Sequence, residues 1–191
     1  LVAVAWPYAN GSLHMGQVAG AYIPADIFAR YHRLKGNDVL MVSGSDSHGT
    51  PVTLEAEKRG VSPREVFGGY HTQFLDNWER LGISFDLFTT TDTDNHIKVA
   101  QDMFLRLYEN GYINKDTMLQ PFCETDARFL ADRYVQGTCP HCAYPDARGD
   151  QCENCGRILD PIDLIDPAYR HEGERYAIEI RDTRHLFYRL S

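Results

Sequence analysis

Residues 1–17 read LVAVAWPYANGSLHMGQ and residues 39–51 read VLMVSGSDSHGTP. Leu1 to Trp6 is a short apolar run rich in β-formers, and the turn chemistry of Pro7-Tyr8-Ala9-Asn10-Gly11-Ser12 follows it, so a strand feeds a loop. Between the two stretches, Leu13, Ile27, Tyr31 and Leu34 with Gly36 beyond predict a long helix over 13–34, which Pro24 should kink or interrupt. Val39–Val42 predicts a second buried strand, running into Ser43-Gly44-Ser45-Asp46-Ser47-His48-Gly49. Working outward, Thr50-Pro51 opens a helix that ends near Gly60, and Ser62-Pro63-Arg64-Glu65 has capping-box spacing for another toward Leu81. Asp86 to Thr91 adds a strand candidate, and Asn95 to Asn110 is amphipathic, with Ile97, Ala100, Phe104 and Leu107 on one side. Strand, helix, strand, helix at this spacing predicts an α/β fold with a doubly wound parallel sheet. After Gly111 the texture changes to turn residues and cysteines, which predicts short strands around a metal.

Composition narrows the class. The chain has 191 residues, and 19 Lys+Arg against 27 Asp+Glu give a formal net charge of −8, which excludes a strongly basic nucleic-acid coat. With 43% hydrophobic and 24% charged residues a sizeable core is expected, and length alone favours one domain or one domain with an insertion. The longest apolar stretch, Leu1 to Trp6, is far short of the roughly 20 residues that cross a bilayer, and no basic segment precedes a long apolar one. A soluble, cytoplasmic chain with no membrane partner, trimmed at its front end, is the expectation.

Four of the five cysteines fall in two Cys-x-x-Cys pairs, Cys139/Cys142 and Cys152/Cys155. Two intervening residues let a tight turn aim both thiolates at one tetrahedral ion, and a second turn closes the shell. Pro140, Gly149 and Gly156 supply the turns. A disulfide pair or unrelated free thiols are the bland alternatives, and disulfides are disfavoured because nothing suggests secretion. Four sulfurs leave no open position, so a Zn²⁺ here is structural. His141 is a competing ligand, and Cys123 reads as a small buried apolar residue.

In an open parallel sheet ligands sit beyond the carboxyl ends of strands, where both loops begin. His14 in a first helical turn lies where free N–H groups attract phosphate, and Gly16 lets a nucleotide lie against the backbone. The bland reading makes His14 a helix cap, Asp46 a turn residue and His48 a cap for the Thr50 helix. Both loops on one sheet would join an anion site to a carboxylate that can fix an amine.

The stretch Trp6-Pro7-Tyr8-Ala9-Asn10-Gly11-Ser12-Leu13-His14-Met15-Gly16-Gln17 resembles the first signature of class I aminoacyl-tRNA synthetases, and its lead is similar to that of the methionyl-tRNA synthetase family. The likeness continues through residues 19–31, Gly44-Ser45-Asp46-Ser47-His48-Gly49-Thr50-Pro51 and both cysteine pairs. It implies a Rossmann-type catalytic domain, residues 1–111 being its first half, and a connective insertion at 112–191 with a zinc knuckle at 139–155. It implies that Trp6, Tyr8 and Asp46 line a methionine pocket, with Asp46 on the ammonium, and that His14, Gly16 and Gln17 lie beside ATP, with Mg²⁺ on the pyrophosphate and tRNA as partner. His14 and Gln17 are the implied catalytic pair. Gln17 stands where the motif more often has a second histidine, and an amide can donate but carries no charge. The second signature, Lys-Met-Ser-Lys-Ser, has no counterpart here, so the resemblance implies a front piece that is inactive by itself.

Two rivals remain at this point. Nucleotidyltransferases outside translation use a similar His-x-Gly-His loop, and a zinc-ribbon binding module could keep the scaffold without the chemistry. Arg170, Arg175, Arg181, Arg184 and Arg189 could form a tRNA-docking patch, but the interleaved Glu172, Glu174, Glu179 and Asp182 favour a solvated mixed-charge face.

Overall fold

In the computed structural model, which describes residues 1–171 and 174–190, the two apolar stretches lie side by side as parallel strands. β1 (Val2–Ala3) pairs with β2 (Met41–Ser45), and β2 pairs with β3 (Leu87–Thr90), giving the order β1-β2-β3 with both pairings parallel. β2 is longer at its far end than the expected Val39–Val42. Its small residues Ser43, Gly44 and Ser45 continue the ladder as far as Ser45↔Thr90.

The helical stretch after β1 begins at Met15 rather than Leu13 and has three parts: α1 (Met15–Gln17), a π-helical turn (Val18–Tyr22) and α2 (Ile23–Leu34). Pro24 sits in the first turn of α2, directly after the wide turn. A proline ring cannot donate and clashes with the carbonyl four residues back, and a π turn moves that carbonyl aside. The expected interruption is therefore a local widening. α3 (Thr50–Arg59) and α4 (Pro63–Leu81) follow, and α4 is closed at its start by a full capping box, the Ser62 hydroxyl accepting from Glu65 N–H while Ser62 N–H donates to the Glu65 carboxylate.

The first core gathers Val4, Tyr22, Ala29, Met41, Val52, Val66, Phe74 and Trp78 between sheet and helices. A polar clamp pins α2. Asp26 accepts from Ser84 N–H at 2.7 Å, from the Ser84 hydroxyl at 2.6 Å and from Arg30 Nε at 2.6 Å, while Arg33 bridges to Asp86 at 2.8 Å. Burial disfavours ionised Asp26, but these donors outweigh it and lower its pKa.

The chain divides into two compact units, Leu1–Asp102 and Met103–Ser191, the division falling inside α5 (Asp94–Glu109). The second unit corrects the expectation of short strands only. β4 (Ile113–Cys123) and β10 (Glu179–Tyr188) are the longest strands among the described residues and form an antiparallel ribbon from Ile113↔Tyr188 to Phe122↔Glu179, with β5 (Arg128–Phe129) on β4. Four shorter strands, β6 (Val135–Thr138), β7 (Ala147–Arg148), β8 (Ile165–His171) and β9 (Glu174–Ala177), form a sheet in the order β7-β6-β8-β9. Its centre is Tyr134, Val135 and Tyr169, all buried, with the Arg128 guanidinium 4.8 Å from the Tyr134 ring and bonded to the Tyr169 hydroxyl. Arg181 pairs with Glu124 and Glu179; Glu172 and the side chain of Arg170 lie outside the described residues.

Candidate active site and metal centre

Beyond the ends of β1 and β2 the two chain segments stay joined. Asp46 N–H donates to Pro7 C=O at 2.8 Å and Ala9 N–H to Asp46 C=O at 2.9 Å, so Tyr8 and Asp46 form an isolated parallel bridge. The sequence separates these residues by a whole helix, and the sheet brings them together. Tyr8 is exposed and its ring passes within 3.7 Å of where a Gly49 Cβ would lie. Among the described residues, Asp46 Oδ1 receives only a long bond from His48 N–H at 3.4 Å. His48 is not a helix cap. Gly49 occupies that position without a side-chain cap bond, and the His48 ring lies on Thr91 C=O at 3.3 Å.

Trp6 lies across β2. A Cβ on Gly44 would come within 2.7 Å of the indole and of Thr89 C=O, so only glycine lets the ring rest on the strand. Beneath, a ladder of small hydroxyls holds β2: Ser43 to Val4 C=O, Ser45 to His71 Nδ1 at 2.7 Å, and Ser47 to Thr90. Burial lowers the His71 pKa and favours its neutral form. Sequence reading missed His71 and this ladder, although Ser43, Ser45 and Ser47 alternate with the period of one strand face.

His14 is the N-cap of α1, with φ −93° and ψ 161°, and does not sit inside the first turn as expected. An imidazole nitrogen can accept where a serine oxygen usually does, so the ring folds back over the helix start. Gln17 N–H donates to His14 Nδ1 at 3.2 Å, and His14 N–H donates to Gln17 Oε1 at 3.1 Å. The capping reading and the phosphate-site reading therefore fall on the same residue, because its other nitrogen remains on an exposed ring. The Tyr22 hydroxyl ties the following π turn to Ala5 C=O at 3.2 Å, and Ser12 bonds Gln73 of α4 at 2.9 Å, fixing the loop at both ends.

In the second unit, Cys139, Cys142, Cys152 and Cys155 bring their sulfurs within 4.8 Å of one another. Cys139 and Cys155 Sγ are 3.9 Å apart and Cys142 and Cys152 Sγ 3.6 Å. Sulfurs tetrahedral about one ion at about 2.3 Å lie about 3.8 Å apart, whereas a disulfide needs about 2.05 Å, so the set fits a metal and not a bridge. Asn154, ahead of a backbone N–H from Tyr144, donates to Cys142 and brings its pKa down to about 6, while Cys155, although bonded by the Arg157 N–H, is pushed up to about 11 by burial and its three cysteine neighbours, so without an ion the thiolate gathers on Cys142. His141 is turned to Arg157 at 3.2 Å and stands outside the four-sulfur cluster, and Cys123 is buried in the small-residue role expected of it.

No helix among the described residues is long and apolar enough to cross a membrane. Residues 1–191 match the family described as tRNA synthetases class I (M). The chain is 64% identical over 189 residues to methionine–tRNA ligase of Thermomicrobium roseum, covering 99% of this chain and 32% of that protein. It is 59% identical over 191 residues to the Roseiflexus castenholzii methionine–tRNA ligase, again covering 32% of it. It thus spans about a third of the length of these curated relatives. Among solved structures, Mycobacterium tuberculosis methionyl-tRNA synthetase bound by methionyl-adenylate matches with a TM-score of 0.67 at 24% identity, covering 99% of this chain and 32% of that one. At that identity the likeness speaks for the fold, and the family match extends it to descent: a Rossmann-type parallel sheet followed by a four-cysteine module, matched over its whole length, makes this chain a member of the class I tRNA synthetase (M) family.

Proposed function

We propose that this chain supplies the methionine-binding and signature-loop side of a methionine–tRNA ligase site. The observation that carries the reading is 64% identity to the Thermomicrobium roseum methionine–tRNA ligase across 99% of this chain. The local geometry supports it, because the Tyr8–Asp46 bridge puts a carboxylate and an aromatic ring at adjoining strand ends. In this reading Asp46 holds the substrate ammonium, Tyr8 and Trp6 border the thioether, and His14, Gly16 and Gln17 lie against ATP. The methionine carboxylate attacks the α-phosphorus. A new O–P bond forms, the bond to the β,γ-diphosphate breaks and pyrophosphate leaves, with Mg²⁺ the ion that would offset its charge. A ribose hydroxyl of the tRNA's terminal adenosine then attacks the acyl carbonyl, the acyl C–O bond to the adenylate phosphate breaks, and AMP leaves, its phosphate able to take the hydroxyl proton. Such chemistry relies on positioning and charge stabilisation, with no covalent enzyme nucleophile. Asp46 orients the amino acid, and His14 donates a hydrogen bond toward phosphate oxygen.

Residues 1–111 are read as the first part of the catalytic domain and 112–191 as the connective insertion, with Zn²⁺ held structurally by Cys139, Cys142, Cys152 and Cys155. The reaction belongs to the cytoplasm, where ATP, methionine and tRNA meet. A nucleotidyltransferase outside translation is disfavoured by the family match over residues 1–191. The test is amino-acid-dependent ATP–pyrophosphate exchange by this chain grafted onto the remaining two-thirds of the Thermomicrobium roseum enzyme. Methionine alone among the standard amino acids should support exchange, and His14→Ala should reduce it roughly a hundredfold. Exchange driven by another amino acid, or indifferent to His14, contradicts the reading.

A further inference from the structure

The three residues 14, 16 and 17 are coupled by geometry in a way that assigns them different tasks. Gln17 N–H is a donor only, and it points at His14 Nδ1 across 3.2 Å. Nδ1 must therefore present a lone pair, and a neutral imidazole bonded this way carries its proton on Nε2. The reciprocal bond fixes the Gln17 amide in the same manner. His14 N–H can only donate, so the atom facing it at 3.1 Å is the amide oxygen. Gly16 belongs to the same device. A Cβ there would stand 3.1 Å from both Nδ1 and Cε1 of His14, tight enough to press on the ring where it now rests. A proton on Nδ1 would face the Gln17 N–H head-on and open the cap.

We propose that Gln17 and Gly16 are positioning residues for His14, holding its imidazole as a neutral Nε2–H donor aimed away from the helix. The proposal rests on the reading that His14 meets ATP phosphate oxygens, and it deepens it. The glutamine acts through its carbonyl oxygen on the cap and through its backbone N–H on the ring. Glycine between them serves imidazole packing as well as nucleotide approach.

The test separates the cap from the reaction. On the 191-residue chain with ¹⁵N-labelled histidine, the His14 ring should give the spectrum of a single Nε2–H form in mildly alkaline buffer. Gln17→Ala keeps the backbone N–H that faces Nδ1 but removes the side-chain bond that holds the His14 backbone over it, so the ring loses its fixed place and its resonances should shift and broaden. Gln17→Glu, whose carboxylate also accepts from an N-cap N–H, should keep the wild-type spectrum. Gly16→Ala should shift the ring resonances by displacing it. The resonance of the buried Trp78 indole reports in each variant that the fold is intact. A protonated Nδ1 in the wild type, or His14 spectra unmoved by both Gln17→Ala and Gly16→Ala, overturns the proposal. In the grafted enzyme, Gln17→Glu should retain more pyrophosphate exchange than Gln17→Ala. The opposite order would assign the Gln17 side chain to the phosphates themselves and also overturn it. Failure of exchange to depend on methionine, with the spectra as expected, would overturn the functional reading and leave the cap standing.

Discussion

The two units solve the problem of stability by different physics. Leu1–Asp102 wraps three parallel strands in helices and buries Tyr22, Met41, Val52, Val66, Phe74 and Trp78 in one cluster, with Asp26 and Asp86 clamping α2 to the sheet. Among the described residues Met103–Ser191 has no buried phenylalanine, methionine or tryptophan. Two of its fully buried residues are Cys139 and Cys152, so part of its interior is a cysteine cluster that could hold a metal instead of hydrocarbon. The first unit should tolerate loss of the ion, and the second should not. Both tryptophans, Trp6 and Trp78, lie in the first unit, so each unit can be watched separately.

The largest expected effect is on metal removal. Cys139→Ser, or chelation, should abolish stoichiometric zinc and unfold the second unit, since apparent zinc affinities of about 10–16 kcal/mol feed directly into folding. The near-ultraviolet tyrosine signal should fall by the share of the seven tyrosines in the second unit, while the four of the first unit and the tryptophan fluorescence hold. Simultaneous loss of both signals would break the division. Next in size, Asp26→Ala should destabilise the first unit by on the order of 2 kcal/mol, because Ser84 and Arg30 lose a charged acceptor. Denaturant midpoints read by tryptophan emission measure it, with the zinc content unchanged.

Acid should act on the first unit in two steps. His71 and Asp26 both have folded pKa values below their usual ones, so each binds its proton more readily when unfolded. Stability conferred by neutral His71 is complete above about 6.5 and declines as pH falls below it toward the folded pKa. That conferred by ionised Asp26 is complete above about 3.9 and is lost as pH falls through its still lower folded value. His71→Gln should remove the first step and keep the second. The smallest effect is a gain. Gly69, exposed in the middle of α4 with open space where a Cβ would go, should stabilise the first unit by about 1 kcal/mol when changed to Ala.

What could be read from residues alone follows the same division. The cysteine module was legible because ligand spacing is local, and the α4 start because a capping box spans four residues. The ten-pair β4–β10 ribbon was not, since its register is set between segments some 60 residues apart in a stretch whose turn residues and cysteines dominate the pattern. The π turn was half legible: Pro24 announced a disturbance, but only the pairing of Tyr22 with Ala5 and the core decides its form. At the site, the two loops are legible as neighbours on one sheet, but the Tyr8–Asp46 bridge is not, since two backbone bonds fix it between segments a whole helix apart. A cap and a phosphate site read as rivals at His14 because residue spacing does not show which ring nitrogen the cap uses.

The most direct measurement is the methionine dependence of pyrophosphate exchange in the grafted enzyme carrying Asp46→Ala. If Asp46 holds the substrate ammonium at the end of β2, the KM for methionine should rise by at least tenfold, the worth of one charge-assisted hydrogen bond at about 1.5–3 kcal/mol. The KM for ATP and the zinc content should stay at their wild-type values. An unchanged methionine KM would return Asp46 to a turn residue bonded to His48 and contradict the account of the site.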